Sequence, residues 1–463
     1  MGKIGHAATA WLLLGGLGLT LLMGYTLIAD FPRRLNPPAD TIRVAVFYPN
    51  PDSWLDFRQA ADLCVQRGLA EIVDKSYDSL TLRARGRSAS VLFTWHDARG
   101  LTEISLEVRR LAEQPHPPVA VIGSSNTVLT AVLAQALASL PNETSPVLLV
   151  PDATAVRVAL PGGSEPVDLL AIHRGRSFRL GLDNRRQAEL ALRHVFDRHV
   201  SETPRRVFLA IDRDDPYSQD LATAFLQELA RLSPGSPAPG DGDVLDLTGR
   251  AETPGSQERL WVTRVWQAVE PGQKVMVFLP LQSEPARRLL VALEGYAPAE
   301  PRNDGSSPLV ICGDGLGRES LAQLAGPLSF PVWSTSSASI AVSEYPGVPD
   351  QTDALIPAEA IVALMACLNP RDGDTVQMAE ALRTLDLPAD DPRALGRALA
   401  FDPQGERRGL GLGHVLGIEP ESTSVFAHVL RSDGHWVNFV RRQADWREHA
   451  WREASWTPVA SRP

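Results

Sequence analysis

Two patterns of apolar and polar positions divide this chain. The first is a run without one charge, Ala10 to Ala29, AWLLLGGLGLTLLMGYTLIA. As a helix rising about 1.5 Å per residue it would span roughly 30 Å, the thickness of the hydrocarbon core of a bilayer. The second pattern begins at Thr41, where short apolar runs alternate with longer stretches of helical period. That alternation is the signature of βα units around a parallel sheet.

The spacing predicts strands at Ile42 to Tyr48, Ser90 to Phe93, Val119 to Ile122 and Val147 to Val150. Helices are predicted between and after them at Trp54 to Arg67, Thr102 to Ala112 and Thr127 to Ser139. After a turn at Pro161-Gly162-Gly163 the pattern restarts: helix Arg185 to His199, strand Arg206 to Ile211, helix Ser218 to Leu232. Ser233 to Gly255, rich in Pro, Gly, Asp and Ser, reads as an exposed loop. Strands Val275 to Leu279 and Leu309 to Cys312 flank a helix Glu284 to Glu294. Helices Pro357 to Leu368 and Thr375 to Leu385 follow, with apolar segments at Val425 to Leu430 and Trp436 to Val440. Two successive α/β sections, with a last block able to return to either, suggest two lobes around a cleft. Open α/β sheets bind ligands outside the carboxyl ends of their strands, so the loops after the strands carry the interest.

The N-terminal run is longer than the apolar region of a signal peptide, about 7 to 15 residues, and it ends Leu27-Ile28-Ala29-Asp30 without a small-x-small site. An uncleaved signal anchor, one transmembrane helix, is therefore expected in preference to a cleaved leader. No Cys follows the run closely enough to carry a lipid in its place. Orientation stays open, because Lys3 lies on one side and Arg33 and Arg34 on the other. Pro32, Pro37 and Pro38 make the spacer before Thr41 short and stiff.

A net charge of -10, with arginines scattered among acids, argues against a nucleic-acid partner, which needs clustered Lys and Arg. Cys64, Cys312 and Cys367 are odd in number and far apart, so no disulfide framework or zinc spacing is read and they are expected as small buried apolar residues, with a bridge between one pair left open for a domain outside the cytoplasm. His194 and His199 are wrongly spaced for one helix face. No metal and no cofactor is expected.

Several loops have ligand-binding chemistry. Ile122-Gly123-Ser124-Ser125-Asn126-Thr127 leaves a buried strand and enters a helix, so free N–H groups and hydroxyls form a cradle for a carboxylate or phosphate. An ordinary N-cap uses the same residues. Val150-Pro151-Asp152-Ala153-Thr154 ends the next strand at the same sheet edge. In the second section, Asp212 to Ser218 presents carboxylates that cap and turn, and Tyr217, whose ring can cover a bound molecule and still hydrogen-bond. Cys312-Gly313-Asp314-Gly315-Leu316-Gly317 lacks GxGxxG spacing, and its acid repels a pyrophosphate. Asp314 suits an ammonium group. No P-loop, GxSxG or kinase signature occurs.

At these residues the chain resembles the type I periplasmic binding proteins, specifically the branched-chain amino-acid (Leu/Ile/Val) substrate-binding proteins of ABC transporters. The resemblance runs from about Thr41 to Val440 and rests on the order and spacing of several pieces. They are the opening strand and loop through Trp54, AVIGSSNT, VLLVPDAT, FRLGLDNRRQAELA, DRDDPYSQDLATAFLQEL, VFLPLQSEPARRLL, CGDGLG and FDPQGERR. It implies two Rossmann-like α/β lobes with parallel sheets around a hinge cleft. The first would comprise residues 41–176 and 326–405, the second 177–325 and 406–440, with a membrane anchor and spacer before them and a Trp-rich tail, 441–463, after. It implies that Ser125, Thr127, Thr154 and the backbone at Ala153 receive a ligand carboxylate, that Asp314 faces an amino group, and that Tyr217, Trp54 and Gln282 line the ligand. Asp152 departs from the family's small or neutral residue and opposes an acidic group there.

The function this implies is that of a membrane-tethered, extracytoplasmic solute-binding protein. It would close two lobes on a small polar ligand, an amino acid or related compound, and serve a permease. The alternative is a ligand-sensing or scaffold module of the same fold acting on a partner protein. An enzyme has little support, because no nucleophile–base pair or metal set is present.

Overall fold

The computed structural model describes residues 41–97, 99–124, 126–160, 165–198, 204–249, 255–271, 273–298, 306–336, 352–368, 374–395, 397–408, 414–420, 422, 424–430, 436–442 and 452–453. The apolar run Ala10–Ala29 and the Trp-rich tail from 443 onward, apart from 452–453, lie outside them. Among the described residues no helix is long and apolar enough to cross a membrane.

The first section forms β1 (Thr41–Phe47), α1 (Pro51–Gln66), β2 (Ala70–Lys75), β3 (Ser79–Ala84), β4 (Ser90–His96) and α2 (Leu101–Ala112). Next come β5 (Ala120–Gly123), α3 (Thr127–Ala138), β6 (Val147–Val150), a small pair β7 (Arg157–Val158) and β8 (Val167–Asp168), α4 (Leu169–Ile172) and β9 (Ser177–Arg179). The sheet order is β2-β3-β4-β1-β5-β6-β9. Strands β4, β1, β5, β6 and β9 are parallel, and β2 and β3 join antiparallel at one edge. β1 is buried on both faces, as a strand sandwiched between helices must be. Val44 and Val46 pack with Phe57 of α1, whereas Ala45 and Phe47 pack with Val108 of α2 and Leu133 of α3.

The second section forms α5 (Asn184–Arg198), β10 (Arg206–Ile211), α6 (Pro216–Leu232), β11 (Val244–Asp246), α7 (Ser256–Ala268), β12 (Val275–Leu279), α8 (Ser283–Gly295), β13 (Leu309–Cys312), α9 (Arg318–Leu324) and β14 (Val332–Ser336). Then α10 (Thr352–Cys367), α11 (Thr375–Arg383) and the pair β15 (Asp386–Leu387) and β16 (Leu399–Ala400) return to the first core, where Ile361, Leu364 and Leu382 are buried. Finally β17 (His414–Ile418), β18 (Ser424–Leu430), β19 (Trp436–Arg442) and β20 (Arg452–Glu453) extend the second sheet. Its order is β11-β10-β12-β13-β14-β17-β18-β19-β20, parallel as far as β14 and antiparallel after it. α7 and α8 cover one face and α5 and α6 the other.

Both sheets therefore reach further along the chain than the expected lobe boundaries. β9 is hydrogen-bonded to β6, and β14 to β13. The antiparallel edges were not expected either. β2, AEIVDK, is an edge strand whose side chains after Ala70 are exposed, so it carries no buried apolar run to read. β14, VWSTS, is equally hard to read, because its buried Ser334 and Thr335 are polar and held by hydrogen bonds. The three cysteines are free, with Cys64 and Cys312 buried.

Candidate functional site

On the first lobe the loops after β5 and β6 lie side by side at the carboxyl edge of the sheet. Gly123 has φ +140°, and a Cβ there would come within 2.4 Å of the Phe47 carbonyl oxygen, so only glycine lets the loop leave β5. Asn126 caps α3 by accepting from the Leu129 N–H at 2.9 Å, and Thr130 Oγ1 accepts from the Ser124 N–H at 3.1 Å. Thr127 is buried at the first turn, and its hydroxyl has no hydrogen-bond partner among the described residues. Ser125 lies outside the described residues. Asp152 is exposed, whereas Ala153 and Thr154 are buried, and the Thr154 carbonyl accepts from the Asn184 N–H at 2.8 Å.

Trp54 is packed into the wall of this lobe. It stacks on Phe57 at 5.4 Å and on Trp95 at 6.4 Å, and its indole N–H donates to the Tyr77 carbonyl at 2.7 Å. Tyr48, one residue beyond β1, is buried, and its hydroxyl has no hydrogen-bond partner among the described residues. Burial pushes its pKa well above the ordinary value, and the charges of Asp152 and Asp56 add to that.

On the second lobe the structure brings Tyr217 and Asp314 together. Asp215 caps α6, with Pro216 in the first turn, and sets Tyr217 pointing at the loop after β13. Tyr217 Oη accepts from the Gly315 N–H at 3.0 Å and is hydrogen-bonded to the Asp314 carboxylate. Gln187 of α5 supports the same carboxylate, while its Oε1 accepts from the Asp314 N–H at 3.2 Å and from Thr335 Oγ1 at 2.8 Å. Burial raises the Asp314 pKa to about 6, against the opposing pull of the hydrogen bonds from Tyr217 and Gln187. Gln282 is exposed and donates to Asp215 Oδ2 at 3.0 Å, so it adjoins Tyr217 without reaching Asp314 by any bond of its own.

Tyr48 and Gln187 escape sequence reasoning. A Gln in an amphipathic helix reads as solvated surface. The one available signal is its place on the buried face of α5, with Ala188, Ala191 and Leu192.

Gly313 holds this geometry open. A Cβ there would lie 2.2 Å from Tyr217 Oη and 2.4 Å from Leu221 Cδ2. Gly313→Ala is expected to displace the Tyr217 ring and to destabilise the fold by about 1–3 kcal/mol, an overpacking cost. Urea unfolding reads the loss, and an unchanged midpoint would remove this packing from the account.

No family model matches the chain, and no curated protein does. Solved structures do match in fold. A substrate-binding protein of an ABC transporter from Desulfitobacterium hafniense, in complex with Leu, shares 16% identity with a TM-score of 0.55 over 82% of this chain and 98% of that one. A possible leucine/isoleucine/valine-binding protein from Rhodopirellula baltica shares 13% at a TM-score of 0.56, over 86% and 98%. A solute-binding protein of an ABC transporter from Rhodopseudomonas palustris, in complex with p-hydroxybenzoic acid, shares 12% at 0.55, over 91% and 100%. The chain thus has the fold of the periplasmic substrate-binding proteins of ABC transporters.

Proposed function

We propose that this is an extracytoplasmic solute-binding protein, tethered by a membrane helix at Ala10–Ala29, whose two lobes close on a small polar ligand for uptake by an ABC-type permease. On this reading it is a binding protein and not an enzyme. The observation that carries it is the Asp314 carboxylate, held by Tyr217 and Gln187 at the carboxyl edge of the second sheet. A carboxylate fixed in that way is suited to an ammonium group.

Thr127, Thr154, the Ala153 backbone and Ser125 would hold the other end of the ligand from the first lobe, with Trp54 stiffening the wall and Gln282 at the rim. The negative charge of Asp152, which adds to the rise in the Tyr48 pKa, makes that end unfavourable for a free carboxylate. The ligand class this supports is an amine whose far end is neutral, such as an amino-acid amide, with free amino acids binding more weakly. Hinge closure follows if contacts to both lobes favour the closed state. A thermal-shift screen of the full chain against amino acids, amides and small carboxylates tests the reading, because a ligand of the folded state raises its apparent stability.

A further inference from the structure

The groups that join the two lobes converge on one arginine. Arg179 ends β9, the last strand of the first sheet before the chain passes to the second lobe, and its side chain is fully buried. Its Nη2 donates to the Ala155 carbonyl at 2.7 Å, and its Nη1 lies 3.0 Å from Glu406 Oε1. Its backbone N–H donates to the Gly405 carbonyl at 2.8 Å. Gly405 has φ +88°, and a Cβ there would lie 2.0 Å from the Ser177 carbonyl oxygen, so glycine is what lets these two stretches lie against each other. Beyond Glu406 the chain passes to β17 of the second sheet. Arg179 and Glu406 therefore pin two of the crossings between lobes to each other.

The other partner of Arg179 leads to the ligand loop. Residues Thr154 to Arg157 hand their backbone groups to the second lobe or to the hinge. The Thr154 carbonyl goes to Asn184, the Ala155 carbonyl to Arg179, and the Val156 and Arg157 N–H groups to Asp220 of α6 at 2.8 and 3.1 Å. Asn184 Nδ2 donates to the same Asp220 at 2.9 Å. The candidate ligand residues Asp152, Ala153 and Thr154 run directly into this stretch, so a shift at Ala155 reaches them through rigid backbone.

We propose that Arg179 is a positioning residue for the ligand loop, and that Glu406, by gaining or losing its charge, decides how firmly Arg179 holds that loop and so sets the balance between open and closed lobes. Its consequence for a ligand rests on the binding reading above, whereas its consequence for the hinge does not. The charges that face Glu406 are Arg179 from β9, Asp183 and Arg186 from the start of α5, and Asp402 from its own loop. Burial outweighs the two guanidinium groups and raises Glu406 to about 7, with Asp183 and Asp402 adding to the rise. Above neutrality Glu406 is charged and the pair with Arg179 is made. Below neutrality it is neutral, Arg179 loses its counter-charge, and the hinge loosens. The folded-state pKa is raised, so the proton stabilises the fold at low pH, and that contribution is lost as pH rises through about 7. The acid form is thus tolerated in the fold while the lobes become freer.

The test uses spin labels on the full chain at Leu106→Cys and Val291→Cys in a Cys367→Ser background, exposed positions on α2 and α8 of opposite lobes. Pulsed electron resonance then measures the distance between lobes without any ligand. The distribution is expected to be broad at pH 5.5 and narrow at pH 8.5 with a midpoint near 7. Glu406→Gln, which keeps the shape and removes the charge, is expected to stay broad at both. A parent distribution indifferent to pH, or a Glu406→Gln variant that still narrows, would overturn the proposal. Titration with L-leucine amide at the same two pH values reports separately on the ligand. Distances that respond while L-leucine amide fails to bind would leave the hinge assignment standing and remove the ligand assignment.

Discussion

Glu359→Ala is expected to lower the stability of the fold by about 3–5 kcal/mol, the cost of leaving buried charge without its partner. Glu359 sits on α10 and is 1% exposed, and it receives Arg407 through both guanidinium nitrogens at 2.5 and 2.8 Å. Arg397 approaches the same carboxylate at 3.5 Å, and burial, the largest influence on it, lowers its pKa to about 10. Arg407 also donates to the carbonyls of Ala398 at 2.7 Å and Leu180 at 3.2 Å, tying the end of the first lobe to the stretch that leads across to the second. Removing the carboxylate therefore leaves two buried guanidinium groups facing each other. Urea unfolding of the full chain reads the loss. A change under about 1 kcal/mol, the range of an exposed pair, would show that the site admits water and that this network does not hold the crossing.

This network also shows where sequence reading reaches and where it stops. β1, β5, β6, β10, β12 and β13 are short, almost wholly buried apolar runs, and their positions follow from patterning. α7, SQERLWVTRVWQA, carries a helical period too, with Trp261, Val262, Val265 and Trp266 buried, but the Pro- and Gly-rich stretch before it obscures its start. Glu359 and Arg407 could not be paired from the sequence. They stand 48 residues apart, one within an apolar helix and one in a polar loop, and only the tertiary fold brings them into contact.

The candidate site divides the same way. Tyr217 and Asp314 stand out as loop residues after strands, and the structure joins them by a hydrogen bond. Gln187, which holds the Asp314 loop from 127 residues away, has no local signature. The family resemblance implies that Trp54 is an aromatic beside the ligand. In the structure its indole N–H is taken by Tyr77, and its faces by Phe57 and Trp95.

The second large effect concerns ligand affinity. Asp314→Asn is expected to weaken amine-bearing ligands about 100-fold or more, the loss of a charge-assisted hydrogen bond of roughly 3 kcal/mol in a desolvated site. Amine-free analogues of the same shape should lose little. Equal loss for both would remove the ammonium role. The same carboxyl predicts a pH profile. Raised to about 6, it binds its proton more tightly in the fold than in the unfolded chain, so its contribution to stability is full below the unfolded pKa and is lost as pH rises through about 6. Affinity for an ammonium runs the other way. It needs the carboxylate, so it rises about tenfold per pH unit below about 6 and levels off above, and Asp314→Asn abolishes that slope.

The thermal-shift screen of the full chain at pH 8, where Asp314 is ionised, asks the central question most directly. Small amines with neutral far ends, amino-acid amides among them, are predicted to stabilise the fold by about 2.7 kcal/mol when present at 100 times their dissociation constant, and matched amine-free acids to do less. No stabilisation by any amino acid, amide or small carboxylate would contradict the account of a two-lobed solute-binding protein.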